Sequence, residues 1–141
     1  MVEVSYIFPI FELKTITMKI GLKFTAKQLV EYEHTAAKYG SGLVEVFATP
    51  AMVALMENAS LHAVLPHLPD GNSTVGTEIC VKHIKPTPLG MNVFAEAELT
   101  EIDGRRLVFK VRAWDDEGEI GTGTHTRFII DSKRFMEKLK R

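Results

Sequence analysis

The sequence predicts an α+β fold in which an antiparallel sheet wraps around one long central helix. The prediction rests on two observations: residues 51–65 form a mostly apolar run without Gly or Pro, and the hydrophobic repeat changes from helical to strand-like after Asn72. A sheet with one apolar face must be covered, and this helix is the only long element available to cover it.

The dipeptide Thr49-Pro50 predicts the start of the central helix. A threonine side chain can accept a backbone N–H of the first turn, and proline at the first helical position sacrifices no hydrogen bond. Pro66 and the turn at residues 69–71 end the helix. Apolar residues occur nearly all round it, so we expect it to be buried.

Four alternating segments after Asn72 predict strands joined by short turns, hence antiparallel neighbours. A weaker strand candidate lies within residues 19–30, residues 31–42 resemble a polar, flexible connection, and Asp131 or Ser132 can cap a short basic helix. In the four strands, the residues expected to share one face are Val75, Thr77, Ile79, Val81 and His83; Met91, Val93, Ala95, Ala97 and Leu99; Leu107, Phe109, Val111 and Ala113; and Ile120, Thr122, Thr124, Thr126, Phe128 and Ile130.

Composition excludes several classes of protein. The 141 residues carry 17 basic and 18 acidic side chains, for a net charge of −1, which gives no case for a nucleic-acid or membrane-surface partner. No apolar run is long enough to span a bilayer. The single cysteine, Cys80, cannot form an internal disulfide and is expected to be an inert thiol in a reducing, cytoplasmic environment.

The chain is expected to be one domain, residues 19–141, preceded by an extension at residues 1–18. The extension lacks the basic start of a signal peptide. Its sequence is compatible with an extra strand, an arm covering a dimer, or a segment upstream of Met18.

Three side chains could carry chemistry. Glu57 lies inside the apolar helix and is either a base in an apolar pocket or a group pointing to solvent or a partner subunit. Thr49 is a helix cap or a catalyst beside the positive end of the helix. His83 ends a strand and is either a satisfied structural group or a proton carrier.

The other candidates are weaker. His34 and His67 lie in connections, His62 does not share a helix face with Glu57, and His125 and Arg127 are expected to point outward. No Cys/His group has zinc spacing, and no phosphate-binding loop occurs, so neither metal nor cofactor is expected. The glycines within residues 121–124 suggest that another part of the chain approaches this strand closely. The basic residues at the C-terminus are expected to form a solvated helix end.

Four segments in order resemble the fluoroacetyl-CoA thioesterase-like family of hotdog-fold proteins: residues 45–57, 75–83, 104–107 and 119–127. The resemblance spans about residues 19–138. It implies a homodimeric hotdog, with larger assemblies left open, that hydrolyses acyl-CoA thioesters. Its catalytic set matches Thr49, Glu57 and His83. A glycine near the thioester carbonyl matches Gly76, and a late-strand arginine, assigned to substrate binding or interface support, matches Arg127.

The implied chemistry needs an oxyanion stabiliser, an activated nucleophile and a proton donor for the thiolate. The amides of the first helical turn or the Gly76 N–H could stabilise the oxyanion. Glu57 could activate water or Thr49, and His83 could transfer protons or polarise the carbonyl. The eight-residue spacing separates Thr49 from Glu57 by roughly 12 Å along the helix, so they require an intervening substrate or pairing across a dimer. Whether Thr49 forms an acyl intermediate or only positions water stays open.

The family's aromatic-bearing lid is shortened here to residues 39–43, so small acyl-CoA thioesters in general, rather than fluorinated ones, are the expected substrates. Two alternatives remain: a non-catalytic hotdog that binds acyl-CoA or another small ligand, and a dehydratase acting on hydroxyacyl thioesters. Retention of the Thr, Glu and His set favours hydrolysis. The sequence does not distinguish CoA from acyl-carrier protein.

Overall fold

The computed structural model describes residues 3–7 and 15–140. Its strands are β1 (Glu3–Ile7), β2 (Thr15–Lys19), β3 (Lys23–Leu29), β4 (Asn72–His83), β5 (Asn92–Asp103), β6 (Arg106–Asp115) and β7 (Gly118–Asp131). The helices are α1 (Ala36–Tyr39), α2 (Thr49–Val64) and α3 (Ser132–Glu137). Short 3₁₀ turns lie at Tyr32–His34 and Leu65–His67.

Five strands form one antiparallel sheet in the order β3-β5-β6-β7-β4. The prediction of one strand, one long helix and four further strands is therefore confirmed, and the arrangement is α+β. β5, β6 and β7 are antiparallel neighbours as predicted. The expected pairing of β4 with β5 is wrong, because β4 pairs with β7 and the segment between β4 and β5 crosses the sheet instead of forming a hairpin. At the β5–β6 hairpin, Gly104 adopts a φ of 61°, a conformation that side-chain-bearing residues rarely reach. β4 forms one margin of this sheet.

The core lies between α2 and the concave face of the sheet. Along β5 and β6 the predicted inward faces are confirmed from Val93 onward, because Val93, Ala95, Ala97, Leu99, Leu107, Phe109, Val111 and Ala113 are fully buried. Met91, predicted on the same face, lies before β5 and is half-buried. Met52, Met56 and Ala59 of α2 pack in the same cluster. The opposite side of α2 is less covered: Ala54 is exposed, and Val53, Glu57 and Leu61 are half-buried. The expectation of a helix buried all round is thus wrong for the single chain.

Two register shifts change which residues face the core. The pairing of β4 with β7 shifts between Gly76 and Glu78, so Thr77 is the extra residue of a β-bulge. Gly76 pairs with Arg127 and Ile79 with His125, which places both glycine and isoleucine inward. The predicted common face of Val75, Thr77 and Ile79 is therefore wrong, because one extra residue reverses the alternation.

The predicted face of β7 is also wrong. Leu107 pairs with Arg127 and Phe109 with His125, so the inward residues of β7 are Gly121, Gly123, His125, Arg127 and Ile129. The register of β6 against β7 shifts beside Ala113, and this shift lets Ile120 be buried although the next residue, Gly121, also lies inward. His125 and Arg127 were expected to point outward; they are 2% and 7% exposed.

Outside the sheet, the connection at residues 31–42 is not a flexible loop but contains the 3₁₀ turn and α1. Asp131 caps α3 as predicted, accepting the Arg134 N–H through Oδ1 at 3.1 Å. β1 and β2 pair antiparallel in a separate two-stranded sheet, and Met18 of β2 is fully buried in the main core. The three alternatives for residues 1–18 concern a segment that lies partly outside the described residues. Among those described, no helix has the length and apolar character needed to cross a membrane.

Candidate active site

Thr49 and His83 meet where α2 begins and β4 ends. Thr49 Oγ1 lies 2.8 Å from His83 Nδ1, a hydrogen bond between segments 34 residues apart. The predicted capping role of Thr49 is wrong: Ala48 is the N-cap residue, and Thr49 is the first residue of the helix. Its hydroxyl is therefore available to the imidazole instead of a backbone N–H.

The Thr49–His83 pair lines a cleft of about 340 Å³. The walls are built by the segment before α2 and the segment after β4, including Phe47, Ile84 and Lys85. Backbone hydrogen bonds hold both segments: Phe47 N–H donates to Thr87 O at 2.8 Å, and Ile84 N–H to Ile120 O at 2.7 Å. The cleft can therefore accommodate a small group directly beside a hydroxyl and an imidazole.

His83 is suited to act as a proton acceptor. Burial lowers its pKa below the ordinary value, and interaction with the Lys85 backbone opposes this shift in part. A lowered pKa keeps the imidazole neutral at neutral pH, and only the neutral ring has a nitrogen able to accept a proton.

Glu57 belongs to a second group of side chains, two helical turns along α2. Its Oε2 lies 3.9 Å from Arg127 Nη1, the outer limit of an ion pair, and its side chain is 41% exposed. Gly76 of β4 lies beside them: a Cβ at that position would stand 3.0 Å from Glu57 Oε2 and 3.0 Å from His125 Cε1. Glycine therefore leaves the space in which the carboxylate and the imidazole lie.

Arg127 and His125 connect this group to the sheet. Arg127 donates to Thr74 twice, from Nε to Oγ1 at 2.7 Å and from Nη2 to the carbonyl oxygen at 2.8 Å. Its Nη1 lies 3.1 Å from His125 Nε2, and His125 Nδ1 lies 2.8 Å from Glu78 O. Burial lowers the pKa of His125, and the neighbouring Arg127 charge lowers it further; the Glu78 carbonyl and the Glu57 charge oppose the shift.

The predicted residues thus lie in two groups within one chain. Thr49 and His83 form one pair, while Glu57, Gly76 and Arg127 form the other, separated by about 12 Å of helix rise. No described hydrogen bond or ion pair of this single chain joins Glu57 to Thr49 or His83.

His125 is the site residue that the sequence reasoning missed. The sequence did indicate its orientation, because Gly121 and Gly123 alternate with His125 and therefore lie on the same face of the strand. A Cβ at Gly121 would stand 2.6 Å from Met52 Sδ, so the helix approaches this face of the strand closely. Glycines alternating with His125 and Arg127 mark the inward face, and the close approach expected at residues 121–124 is confirmed.

The remaining candidates stay outside both groups. His62 Nδ1 lies 2.8 Å from Asn58 O of its own helix, and Cys80 is exposed on β4. The ligand atoms of Glu31, Glu33 and His34 lie within 4.8 Å of one another. His34 Nδ1 already accepts the Glu31 N–H at 3.0 Å, so this group forms a capped turn.

Comparison with known proteins places these residues in a family. The sequence profile of the fluoroacetyl-CoA-specific thioesterases matches residues 30–133. A fluoroacetyl-CoA thioesterase from Streptantibioticus cattleyicolor is 39% identical over 129 residues, covering 87% of this chain and 93% of the relative.

Solved structures agree in fold. A fluoroacetyl-CoA thioesterase structure superposes with a TM-score of 0.82 at 40% identity, covering 87% of this chain and 96% of that one. A thioesterase superfamily member from Thermus thermophilus gives 0.80 at 27% identity, covering 87% and 91%. A hot-dog-like protein from Thermanaerovibrio acidaminovorans, at 24% identity and a TM-score of 0.75, shares the fold.

Proposed function

The chain belongs to the fluoroacetyl-CoA-specific thioesterase family of hotdog-fold proteins, and on that basis we propose that it hydrolyses small acyl-CoA thioesters to the free acid and CoA, with Thr49, Glu57 and His83 as its catalytic set. The observation that carries the proposal is the 2.8 Å contact between Thr49 Oγ1 and His83 Nδ1 in a cleft beside the start of α2. The shortened segment at residues 39–43 favours small acyl groups without a requirement for fluorine.

Each residue has a role that its surroundings support. Neutral His83 accepts a proton from the Thr49 hydroxyl, or from a water that this hydroxyl positions, and returns it to the departing thiolate of CoA. The carboxylate of Glu57 orients and activates the attacking water. The first-turn amides of α2, or the Gly76 N–H, stabilise the oxyanion that forms on the thioester carbonyl. Water adds to the acyl carbon and the carbon–sulfur bond breaks, so the products are the acid and the thiol.

A homodimer would bring the two groups together. β4 is a twelve-residue strand at the margin of the sheet, and long unpaired margins are usually covered. If β4 pairs antiparallel with its copy about a twofold axis near Cys80, His83 of one subunit lies beside the Gly76 segment of the partner subunit. Glu57 of the partner subunit then reaches the Thr49–His83 pair.

The incompletely covered side of α2 supports the same assembly. Ala54 is exposed, and Val53 and Leu61 are half-buried around Glu57. A second copy pairing along β4 would cover this face and would place Glu57 in a drier environment than the single chain provides. Hydrolysis would then occur at two equivalent sites, each built from both subunits.

Thioesterase activity is tested with a panel of acyl-CoAs from acetyl to hexanoyl, and thiol release is followed with a chromogenic reagent. We expect turnover of the shorter substrates and loss of about a hundredfold or more in kcat for Glu57→Gln and His83→Ala. If the chain is instead a non-catalytic binding protein, acyl-CoA raises its Tm without thiol release. Equal rates for the wild type and both variants would refute hydrolysis at this site.

Subunit complementation tests the shared site directly. The Glu57→Gln and His83→Ala proteins should each be nearly inactive, but in the proposed dimer their heterodimer would contain one site with Thr49 and His83 from the first variant and Glu57 from the second. Random mixing should restore about a quarter of the wild-type activity, because half the dimers are mixed and each carries one intact site of two. A site contained within one chain would give no restoration.

Cys80 provides an independent test of the β4 pairing. With the twofold axis near this residue, the two Cα atoms would lie about 4.5–5.5 Å apart, within the range that a disulfide can bridge. Mild oxidation should convert the protein to a covalent dimer on a non-reducing gel, and Cys80→Ser should abolish the product. A monomer in sedimentation together with no cross-linking would rule out this dimer.

A further inference from the structure

His125 and Arg127 form a buried polar pair whose purpose the catalytic set does not explain. They are 2% and 7% exposed, and they project from β7 toward the same side as Gly76 and Glu57. A buried arginine is costly unless its donors are satisfied. The pattern of donors and acceptors around the pair identifies what each group does.

The hydrogen bonds of His125 determine where its proton lies. The Glu78 carbonyl only accepts, so His125 Nδ1, 2.8 Å away, must carry the hydrogen. The Arg127 guanidinium only donates, so His125 Nε2, 3.1 Å from Nη1, must be the acceptor. Both contacts require a neutral imidazole protonated on Nδ1, and the burial that lowers the pKa of His125 favours that state.

Arg127 is held on three of its nitrogen atoms. Nε and Nη2 donate to Thr74 at 2.7 and 2.8 Å, and Nη1 donates to His125. The same Nη1 lies 3.9 Å from Glu57 Oε2. A guanidinium with this orientation faces the carboxylate of the catalytic helix, which argues against the predicted role of Arg127 as a substrate ligand.

We propose that His125 is a positioning residue: as a neutral imidazole with its proton on Nδ1, it accepts a hydrogen bond from Arg127 and fixes the guanidinium that orients Glu57. The role of His125 in thioester hydrolysis rests on the proposed function, whereas its tautomer and its contact with Arg127 do not depend on that function. β7 supplies His125 and Arg127, β4 supplies Thr74, Gly76 and the Glu78 carbonyl, and α2 supplies Glu57. Phe109 of β6 lies behind the imidazole, with ring centroids 6.4 Å apart.

Two amide substitutions separate the contacts of His125. In His125→Gln the side-chain oxygen can take the place of Nε2 and accept from Arg127. In His125→Asn the shorter amide can take the place of Nδ1 and donate to Glu78, but nothing replaces the acceptor. We expect kcat to fall by at most about threefold in the Gln variant and by about tenfold or more in the Asn variant, because misorienting a catalytic group is costly. KM should stay within about twofold, since substrate contacts are retained.

Each outcome of the kinetic test bears on the proposal. Equal losses in the two variants would mean that the imidazole only fills space, and a selective rise in KM would mean that the pair binds substrate; either result overturns the positioning role. Thermal unfolding of both variants verifies that the fold is retained.

Long-range ¹H–¹⁵N spectra of the wild-type histidines provide a readout that needs no catalysis. We expect His125 to give the pattern of a neutral, Nδ1-protonated ring at neutral pH, with the Nε2 resonance shifting in Arg127→Lys. A protonated ring, or a proton on Nε2, would overturn the proposal even if the amide variants fail to fold. If the wild type hydrolyses no acyl-CoA but this pattern is present, the proposed function fails and the contact stands.

Discussion

The two halves of the candidate site are constructed in opposite ways. Thr49 is exposed and has one described side-chain hydrogen bond, to His83, at the wall of an open cleft. His125 and Arg127 are buried, and four hydrogen bonds to β4 and to each other fix their orientation. The cleft half therefore suits a group that exchanges protons with a substrate, and the buried half suits one that holds a carboxylate in place.

The largest effects are expected from alanine substitutions at two glycines. One should mainly reduce activity, because its neighbours are side chains of the candidate site, and the other should mainly reduce stability, because its neighbour is strand backbone. A Cβ at Gly76 would meet Glu57 Oε2 and His125 Cε1, each 3.0 Å away and each on a side chain that can shift. Gly76→Ala should therefore fold but lose about a hundredfold in kcat/KM, because the carboxylate must move.

Gly123 is the matched control for this substitution. A Cβ there would overlap Cys80 O, a backbone atom that cannot give way. Gly123→Ala should therefore lose about 3 kcal/mol or more of folding free energy, measured by urea unfolding. A Gly76→Ala enzyme with normal kinetics would contradict the crowding around Glu57.

The next effect concerns the cleft half. Thr49→Val keeps the shape of the side chain and removes the hydroxyl, whereas Thr49→Ser keeps the hydroxyl. We expect kcat to fall by about thirtyfold in the Val variant and less than about fivefold in the Ser variant, because only the latter can still donate to His83. Steady-state kinetics with one short acyl-CoA measures both.

Stability sharpens the same comparison. Loss of a true N-cap costs about 1 kcal/mol, but the hydroxyl of Thr49 makes no cap hydrogen bond. Thr49→Val should therefore leave the urea midpoint nearly unchanged. A clear loss of stability with intact kcat would restore the capping role that the sequence suggested.

The sequence predicts the fold well wherever hydrophobic periodicity continues without interruption. β5 and β6 alternate without an extra residue from Val93 to Leu99 and from Leu107 to Ala113, because the extra residue at their register shift is Thr100 of β5, and every inward residue predicted on these stretches is buried. β4 and β7 fail at the register shifts, where one extra residue reverses the faces. A bulge depends on the partner strand, so alternation within one strand does not reveal it.

The candidate site shows the same contrast between residues with local sequence signals and residues whose position depends on strand pairing. Thr49 and His83 lie at element ends, where the sequence signals are local, and their proximity follows from the prediction that α2 covers the sheet. His125 lies beyond the bulge, and its role depends on the Glu78 carbonyl and on Arg127, two groups brought to it by strand pairing. In the proposed homodimer, the link between Glu57 and the Thr49–His83 pair would come from a second subunit, and the alternation of residues within one chain does not specify that contact.

A smaller effect is expected from pH. Burial lowers the pKa of both His83 and His125. The unfolded chain therefore takes up protons near the ordinary value of about 6.5, while the folded chain does so only at lower pH. The unfolded state binds more protons in that interval. The contribution of these two histidines to the free energy of unfolding is therefore fully present above about pH 6.5, and it falls as the pH drops toward the folded pKa values.

Urea unfolding between pH 5 and pH 8 measures this dependence. His125→Gln should flatten the decline in the free energy of unfolding below pH 6.5, because it removes one of the two imidazoles whose pKa is lowered. A stability that rises on acidification through this range would contradict the buried, neutral state of the two imidazoles.

The smallest effect is expected at His62, which lies on α2 but outside both halves of the candidate site. Its Nδ1 donates to Asn58 O at 2.8 Å, and its ring is tilted by 34° against that of Phe24 of β3, with centroids 5.3 Å apart. β3 and β4 are the two outer strands of the sheet. His62→Gln should therefore change kcat/KM less than about twofold and stability by about 0.5 kcal/mol. A loss comparable to that of His83→Ala would mean that the working imidazole belongs to α2 and not to β4. Retained hydrolysis assigns proton transfer to the imidazole that contacts Thr49.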